Sequence, residues 1–87
     1  MKILAIDDEP IVRENIAAFL EDSDHVVIQA GDGGAGLELF RKESPDVVLC
    51  DLRMPRVDGL QVLEAIRRDS PETPIIMISG TGVIHDV

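Results

Sequence analysis

Four short aliphatic runs govern what this chain can fold into: Lys2 to Ile6, His25 to Ala30, Val47 to Cys50 and Pro74 to Ser79. Each is bounded by Asp, Gly, Pro or Ser and reads as a continuous apolar segment rather than an alternating one. Strands buried on both faces have that pattern, and a parallel sheet is the arrangement that buries them so. The chain has two Phe and no Trp or Tyr, so its core has to be built from Ile, Leu, Val and Ala. That composition suits such a sheet.

Stretches with helical spacing separate the runs. From Pro10 to Leu20, the residues Val12, Ile16, Phe19 and Leu20 recur on one face, flanked by Ile11, and are expected to be buried. Pro10 falls where a first-turn proline is tolerated, and Asp8 is a candidate N-cap. A second helix is expected from Gly34 to Lys42, burying Leu37 and Phe40 with Leu39 flanking, before Ser44-Pro45-Asp46 breaks it. A third, from Leu60 to Asp69, would bury Leu60, Leu63 and Ile66 and carry Arg67 and Arg68 in its last turn. A fourth helix is expected to begin near Val83, leaving a stub at Val87. The order β-α-β-α-β-α-β, then a stub, predicts an α/β domain of four parallel strands and three helices. Right-handed crossovers would place helices on both faces. The sequence has no internal repeat and no linker, so residues 1–87 read as one domain.

Charge narrows the functional classes. Asp plus Glu is 17 against 8 for Lys plus Arg, a net charge of -9. That sign repels phosphate backbones and anionic membrane surfaces, which argues against direct nucleic-acid or membrane binding. No apolar run approaches the ~18 residues a span requires, and Asp7 and Asp8 come too early for a signal peptide. Cys50 is the one cysteine, which excludes an internal disulfide and a cysteine-based zinc site. A soluble, cytoplasmic protein is expected.

In open parallel sheets, ligands bind at the carboxyl ends of the strands, where strand order reverses. Asp7, Asp8 and Glu9 follow the first run, Asp51 follows the third, and Ser79 ends the fourth, just before Gly80. If the first and third strands are neighbours, Asp7, Asp8 and Asp51 converge. Like charges within ~4–6 Å oppose one another's ionisation, and a hard divalent cation relieves that. Mg²⁺ takes carboxylate, water and phosphate oxygens in octahedral geometry. A carboxylate beside it can act as a nucleophile toward phosphorus, with the Ser79 hydroxyl binding a phosphoryl oxygen. Taken singly, each residue has a structural explanation: Asp8 as a cap, Asp7 as a solvated strand end, Ser79 as a turn former. Their common position at one end of one sheet is what points to chemistry.

These residues, together with several longer segments, resemble the receiver domain of bacterial two-component response regulators. The segments are Ile3-Leu4-Ala5-Ile6-Asp7-Asp8-Glu9-Pro10, Ala30-Gly31-Asp32-Gly33, Pro45 to Pro55, Asp58-Gly59-Leu60 and Thr73 to Gly80. The pattern D-L-x-M-P-x-x-D-G, from Asp51 to Gly59, with the upstream acidic pair is its most specific part. The resemblance implies a flavodoxin-like fold with strand order 2-1-3-4-5. Asp51 would accept a phosphoryl group from a sensor histidine kinase or phosphotransfer protein. Asp7, Asp8 and Asp51, with the backbone carbonyl of Arg53, would hold Mg²⁺, and Ser79 would bind the phosphoryl group. Such a domain is a signalling switch and not an enzyme, beyond catalysing its own phosphorylation and dephosphorylation. Family domains run to about 120 residues, with a fifth strand, a fifth helix and a lysine that contacts the phosphoryl group. Lys2 and Lys42 fit neither position of that lysine, so the chain resembles a receiver truncated at its C-terminus. The fourth strand would then be an open edge, expected to pair with a second copy there or near the fourth helix. A module of this fold that binds partners or dimerises without being phosphorylated is the alternative reading.

Two rivals have their own motifs. Gly31-Asp32-Gly33-Gly34-Ala35-Gly36 matches the dinucleotide fingerprint G-x-G-x-x-G. However, Asp32 would set a carboxylate beside a pyrophosphate, and the fingerprint belongs after the first strand rather than the second. An aspartate-nucleophile phosphohydrolase needs a carboxylate two residues after the nucleophile, where this chain has Arg53, and a guanidinium cannot act as a general base. His25 and His85 read as structural or solvated, Cys50 as a small core residue, and Arg53 and Arg56 as charge screening near the acids.

Overall fold

The computed structural model describes the backbone of residues 1–54, 57–79 and 82–86, and the side chains of 1–54 and 57–78. Among these, eight elements follow in order: β1 (Lys2–Ile6), α1 (Pro10–Asp22), β2 (Val26–Ala30), α2 (Gly33–Glu43), β3 (Val47–Asp51), α3 (Gly59–Asp69), β4 (Ile75–Ser79) and β5 (Gly82–Asp86). They form one sheet in the order β2-β1-β3-β4-β5. The first four strands are parallel, as the aliphatic runs predict, and the fold is flavodoxin-like. β1 lies between β2 and β3, with Ile6 opposite Ala30 on one side and Cys50 on the other.

The C-terminal segment corrects one expectation and removes another. No fourth helix starts near Val83: residues 82–86 turn back along β4 as an antiparallel strand, Ser79 opposite Gly82 and Ile75 opposite Asp86. Val83 and Ile84 favour this, since β-branched residues fit a pleated strand better than a short isolated helix. β4 is therefore not an edge. The hydrogen-bonding groups through which a second copy was expected to pair are taken by β5. Likewise His85 is a strand residue rather than part of a helical stub.

The main core lies between the sheet and the α2–α3 layer. Leu4, Ile6, Val48, Cys50, Ile75 and Met77 point to that side, where Phe40, Val62 and Ile66 meet them. The expected helix faces are partly out of phase with the observed ones. α2 buries Gly33, Gly36 and Phe40, with Leu37 and Leu39 packed at the margin. α3 buries Gly59, Val62 and Ile66, and Leu60, expected inside, is 53% exposed. A search for apolar periodicity cannot count glycine as a buried face, yet glycine is what allows these helices to lie close. A Cβ on Gly36 would run into the Ile6 side chain. α1 departs further: of its residues Ala17 alone is buried, while Val12 is exposed and Phe19 is 72% exposed. Its apolar stripe is real, but no second helix among the described residues lies against it. None of the described helices is long and apolar enough to cross a membrane.

Candidate functional site

Parallel pairing of β1 with β3 brings the two strand ends together, and this builds the site. β3 extends through Asp51, and the chain of β1 continues directly into Asp7 and Asp8. Carboxylate oxygens of Asp7, Asp8 and Asp51 all lie within 4.8 Å of one another. Asp7 is 7% exposed, and Asp8 and Asp51 are half-buried. The convergence expected from the sequence is thus present in the structure.

Local bonding explains why these acids stay in place. The Asp7 backbone N–H donates to the Ala30 carbonyl at 3.1 Å, extending the β1–β2 ladder by one step. Its carboxylate accepts from the Glu9 backbone N–H at 2.9 Å. Its carbonyl accepts from Arg13 Nη1 at 2.7 Å. Asp8 is not the cap of α1, contrary to expectation. Glu9 occupies the N-cap position and makes no side-chain cap bond, and Pro10 starts the helix. A proline at the first helical position has no N–H that needs a cap. Asp8 is thereby left to face Asp51.

The electrostatics follow from this crowding. The Asp51 carboxyl is raised above its ordinary value, first by burial and then by the charges of Asp7 and Asp8. The Arg53 backbone N–H, donating to Asp51 Oδ1 at 3.2 Å, pulls in the opposite direction. Next to Asp51, burial pushes the Cys50 thiol up to about 12, helped by Asp51, Asp7 and Asp58. Cys50 is thus a neutral core group, as its sequence context suggests, and not a nucleophile. Three oxygen donors with mutual repulsion form a donor set that fits a hard divalent cation and is unsuited to a soft one.

The loop after Asp51 is tied to the sheet and to α3. The Leu52 N–H donates to the Ile78 carbonyl at 2.8 Å, and the Gly59 N–H to the Leu52 carbonyl at 3.1 Å. A Cβ on Gly59 would strike the Asp51 carbonyl oxygen and Met77. Met54 is buried in the core, and Asp58 caps α3 with a reciprocal Gln61 bond. The remaining predicted residues are less completely placed. Arg53 is exposed. Ser79 is the last residue of β4, but its side chain lies outside the described residues, as do Pro55, Arg56 and Gly80.

The dinucleotide reading fails on geometry. The Asp32 carboxylate accepts from the Ala35 N–H at 2.7 Å, and the Asp32 carbonyl accepts from the Gly36 N–H at 3.0 Å, so two amides that would face a pyrophosphate are already bonded within the chain, one of them to an acid. Conversely, sequence reading gave no role to Arg13. Its signal was present: it is the one Lys or Arg between Lys2 and Arg41, within a strongly acidic stretch.

Comparison with known proteins agrees with this geometry. A family model described as the response regulator receiver domain matches residues 3–87. A probable transcriptional regulator, ycf27, of Guillardia theta is 41% identical over 85 residues, which are 98% of this chain and 33% of that protein. The regulator of RpoS of Escherichia coli is 35% identical over 86 residues, 99% of this chain and 26% of that protein. The chain therefore spans between a quarter and a third of the length of these relatives. Among solved structures, chemotaxis protein CheY4 of Vibrio cholerae superposes with a TM-score of 0.86 at 34% identity, covering 88% of this chain and 66% of that one. The response regulator TrrA of Thermotoga maritima, solved in complex with Mg²⁺ and BeF, superposes with a TM-score of 0.87 at 32% identity, covering 90% and 68%.

Proposed function

We propose a function from one premise, that the chain belongs to the response regulator receiver domain family of two-component systems. In this reading it is a phosphorylation-controlled signalling switch whose acceptor is Asp51. A sensor histidine kinase or phosphotransfer protein would supply the phosphoryl group. The observation that carries the reading is the approach of the Asp7, Asp8 and Asp51 carboxylates to within 4.8 Å at the carboxyl end of the sheet. The similarity to TrrA, which was solved in complex with Mg²⁺ and BeF, supports this reading.

The chain's own residues suggest how the transfer proceeds. An Asp51 carboxylate oxygen attacks the phosphorus of a phosphohistidine. The new O–P bond forms as the P–N bond breaks, and its electron pair returns to the imidazole nitrogen, leaving an acyl phosphate on Asp51. Asp7, Asp8 and Asp51, with the Arg53 carbonyl, would hold Mg²⁺, whose charge offsets that of the incoming phosphoryl oxygens. Asp7 is held through its backbone and its carboxylate, so its oxygens are presented without reorganisation. The Arg53 N–H orients the Asp51 carboxylate through Oδ1. Ser79, at the end of β4, would bind a phosphoryl oxygen.

The test is intact mass after incubation with acetyl phosphate, with and without Mg²⁺, for the chain and for Asp51→Asn. Gain of one phosphoryl group that requires both Mg²⁺ and Asp51 is expected. No gain under any condition would favour the alternative, a module of the same fold that binds partners unmodified.

A further inference from the structure

We propose that Arg13 is the positioning residue of the Asp7–Asp8 pair, so that its guanidinium sets the affinity of the site for Mg²⁺. The inference rests on the Mg²⁺ reading of the acidic cluster and adds a residue to it. Arg13 sits one turn into α1 and reaches back over the end of β1. Nη1 donates to the Asp7 carbonyl at 2.7 Å, and Nε donates to Gln29 Oε1 at 3.2 Å. The same Nη1 lies 3.4 Å from where a Cβ on Gly31 would stand. One planar group therefore bridges α1, the β1–α1 loop and the end of β2.

The Asp7 carbonyl needs this partner. β1 ends at Ile6, so the Asp7 carbonyl has passed out of the strand, yet the residue is almost wholly buried. Buried carbonyls seldom go unpaired, and a charge-assisted donor is the strongest kind available. That carbonyl belongs to the peptide joining Asp7 to Asp8. Fixing it fixes the plane from which Asp8 departs toward Asp51, and Asp8 has no helix-capping role to hold it otherwise. An arginine suits the position better than a lysine. Its rigid fork serves two acceptors in divergent directions at once, where an ammonium on a flexible stem would hold neither in fixed geometry.

Two effects of removing Arg13 have opposite signs, and this makes the inference testable. A cation bonded to the Asp7 carbonyl makes the surroundings of the acidic pair less negative, so charge alone predicts tighter Mg²⁺ binding without it. Positioning predicts weaker binding, because groups that orient metal ligands commonly matter about tenfold or more in affinity. Mg²⁺ titrations of the full chain, followed by calorimetry and by the amide resonances of Asp7, Asp8 and Asp51, read the sign directly. The chain has no Trp or Tyr to report by fluorescence. Arg13→Ala is expected to weaken Mg²⁺ binding about tenfold. Arg13→Lys, which keeps the charge and loses the fork, is expected to weaken it as well, and Gln29→Ala by less. The latter two carry the test if the alanine variant does not fold. Unchanged or tighter Mg²⁺ binding in folded Arg13 variants, beside a wild-type chain that binds, would overturn the role of Arg13 alone. A wild-type chain without saturable Mg²⁺ binding would overturn the metal reading beneath it, and the role of Arg13 with it.

Discussion

On one face of the sheet, α2 and α3 keep Leu4, Ile6, Val48, Cys50, Ile75 and Met77 out of water. On the other, α1 covers Ile3 and Ala5 near β1, but Val47, Leu49, Ile76 and Ile78 are only half-buried, and Phe19 on α1 is exposed. Both faces are equally aliphatic in sequence, so composition does not separate them. Two structural features do. Glycines at the contact surfaces of α2 and α3 let those helices approach the sheet closely. Among the described residues, the second face has one helix where the first has two. The closed face also lies under the acidic site, because Gly59 of α3 packs directly on the Asp51 backbone. Close packing is thus concentrated where the candidate chemistry sits.

The sharpest probe of this difference is a pair of truncations. Ile66→Ala, at a fully buried position, is expected to cost about 2–5 kcal/mol in urea denaturation. Phe19→Ala, removing a larger side chain, is expected to cost about 0.5 kcal/mol. Equal costs would break the contrast between the faces. Next in size is Gly36→Ala, whose Cβ meets Ile6 and which should destabilise by about 1–3 kcal/mol despite alanine's better helix propensity. Its control, Gly34→Ala, is exposed on the same helix and should be neutral or stabilising by up to about 1 kcal/mol.

Smaller effects come from titrating groups. The Asp51 carboxyl holds its proton more tightly in the folded chain than in the unfolded one. Stability is therefore lost as pH rises through that raised value, and the loss persists at neutral pH. Asp51→Asn should raise stability at pH 7 without Mg²⁺, by about 1 kcal/mol or less since the group is partly solvated. The gain should shrink below the ordinary carboxylate range, and added Mg²⁺ should reduce it by stabilising the wild-type chain. Smallest of all is the thiol. With Cys50 held near 12, the folded chain should resist alkylation at pH 8 while the denatured chain reacts. Its contribution to stability should be lost as pH climbs from about 9 toward 12, because the unfolded thiol ionises first.

The sequence was most informative where one physical rule acted alone. Continuous aliphatic runs gave the four parallel strands, and their order around β1 brought Asp7, Asp8 and Asp51 together. It was less informative where burial depended on what stood opposite. The stripe of Val12, Ile16, Phe19 and Leu20 reads as a buried face, but a helix pattern cannot say whether a neighbour covers it. Leu60 reads as a core residue because apolar periodicity overlooks Gly59, which is the buried position at the start of α3. Val83 to Asp86 forms a strand rather than a helix because pairing with the immediately preceding β4 is available to it, and a reading for helical periodicity does not weigh that pairing. Arg13 stands out in the sequence as an isolated cation, but its acceptor is a backbone carbonyl, so the sequence marks the residue and not its partner.

The central claim is that Asp51 carries the phosphoryl group. The most direct measurement is chemical trapping: treat the chain with acetyl phosphate and Mg²⁺, reduce with borohydride, and sequence the peptides by tandem mass spectrometry. Borohydride converts an aspartyl phosphate to homoserine and leaves an unmodified aspartate unchanged. Homoserine at position 51, and not at 7, 8 or 58, is the predicted result. Homoserine at another position, or aspartate retained at all of them, would contradict the account.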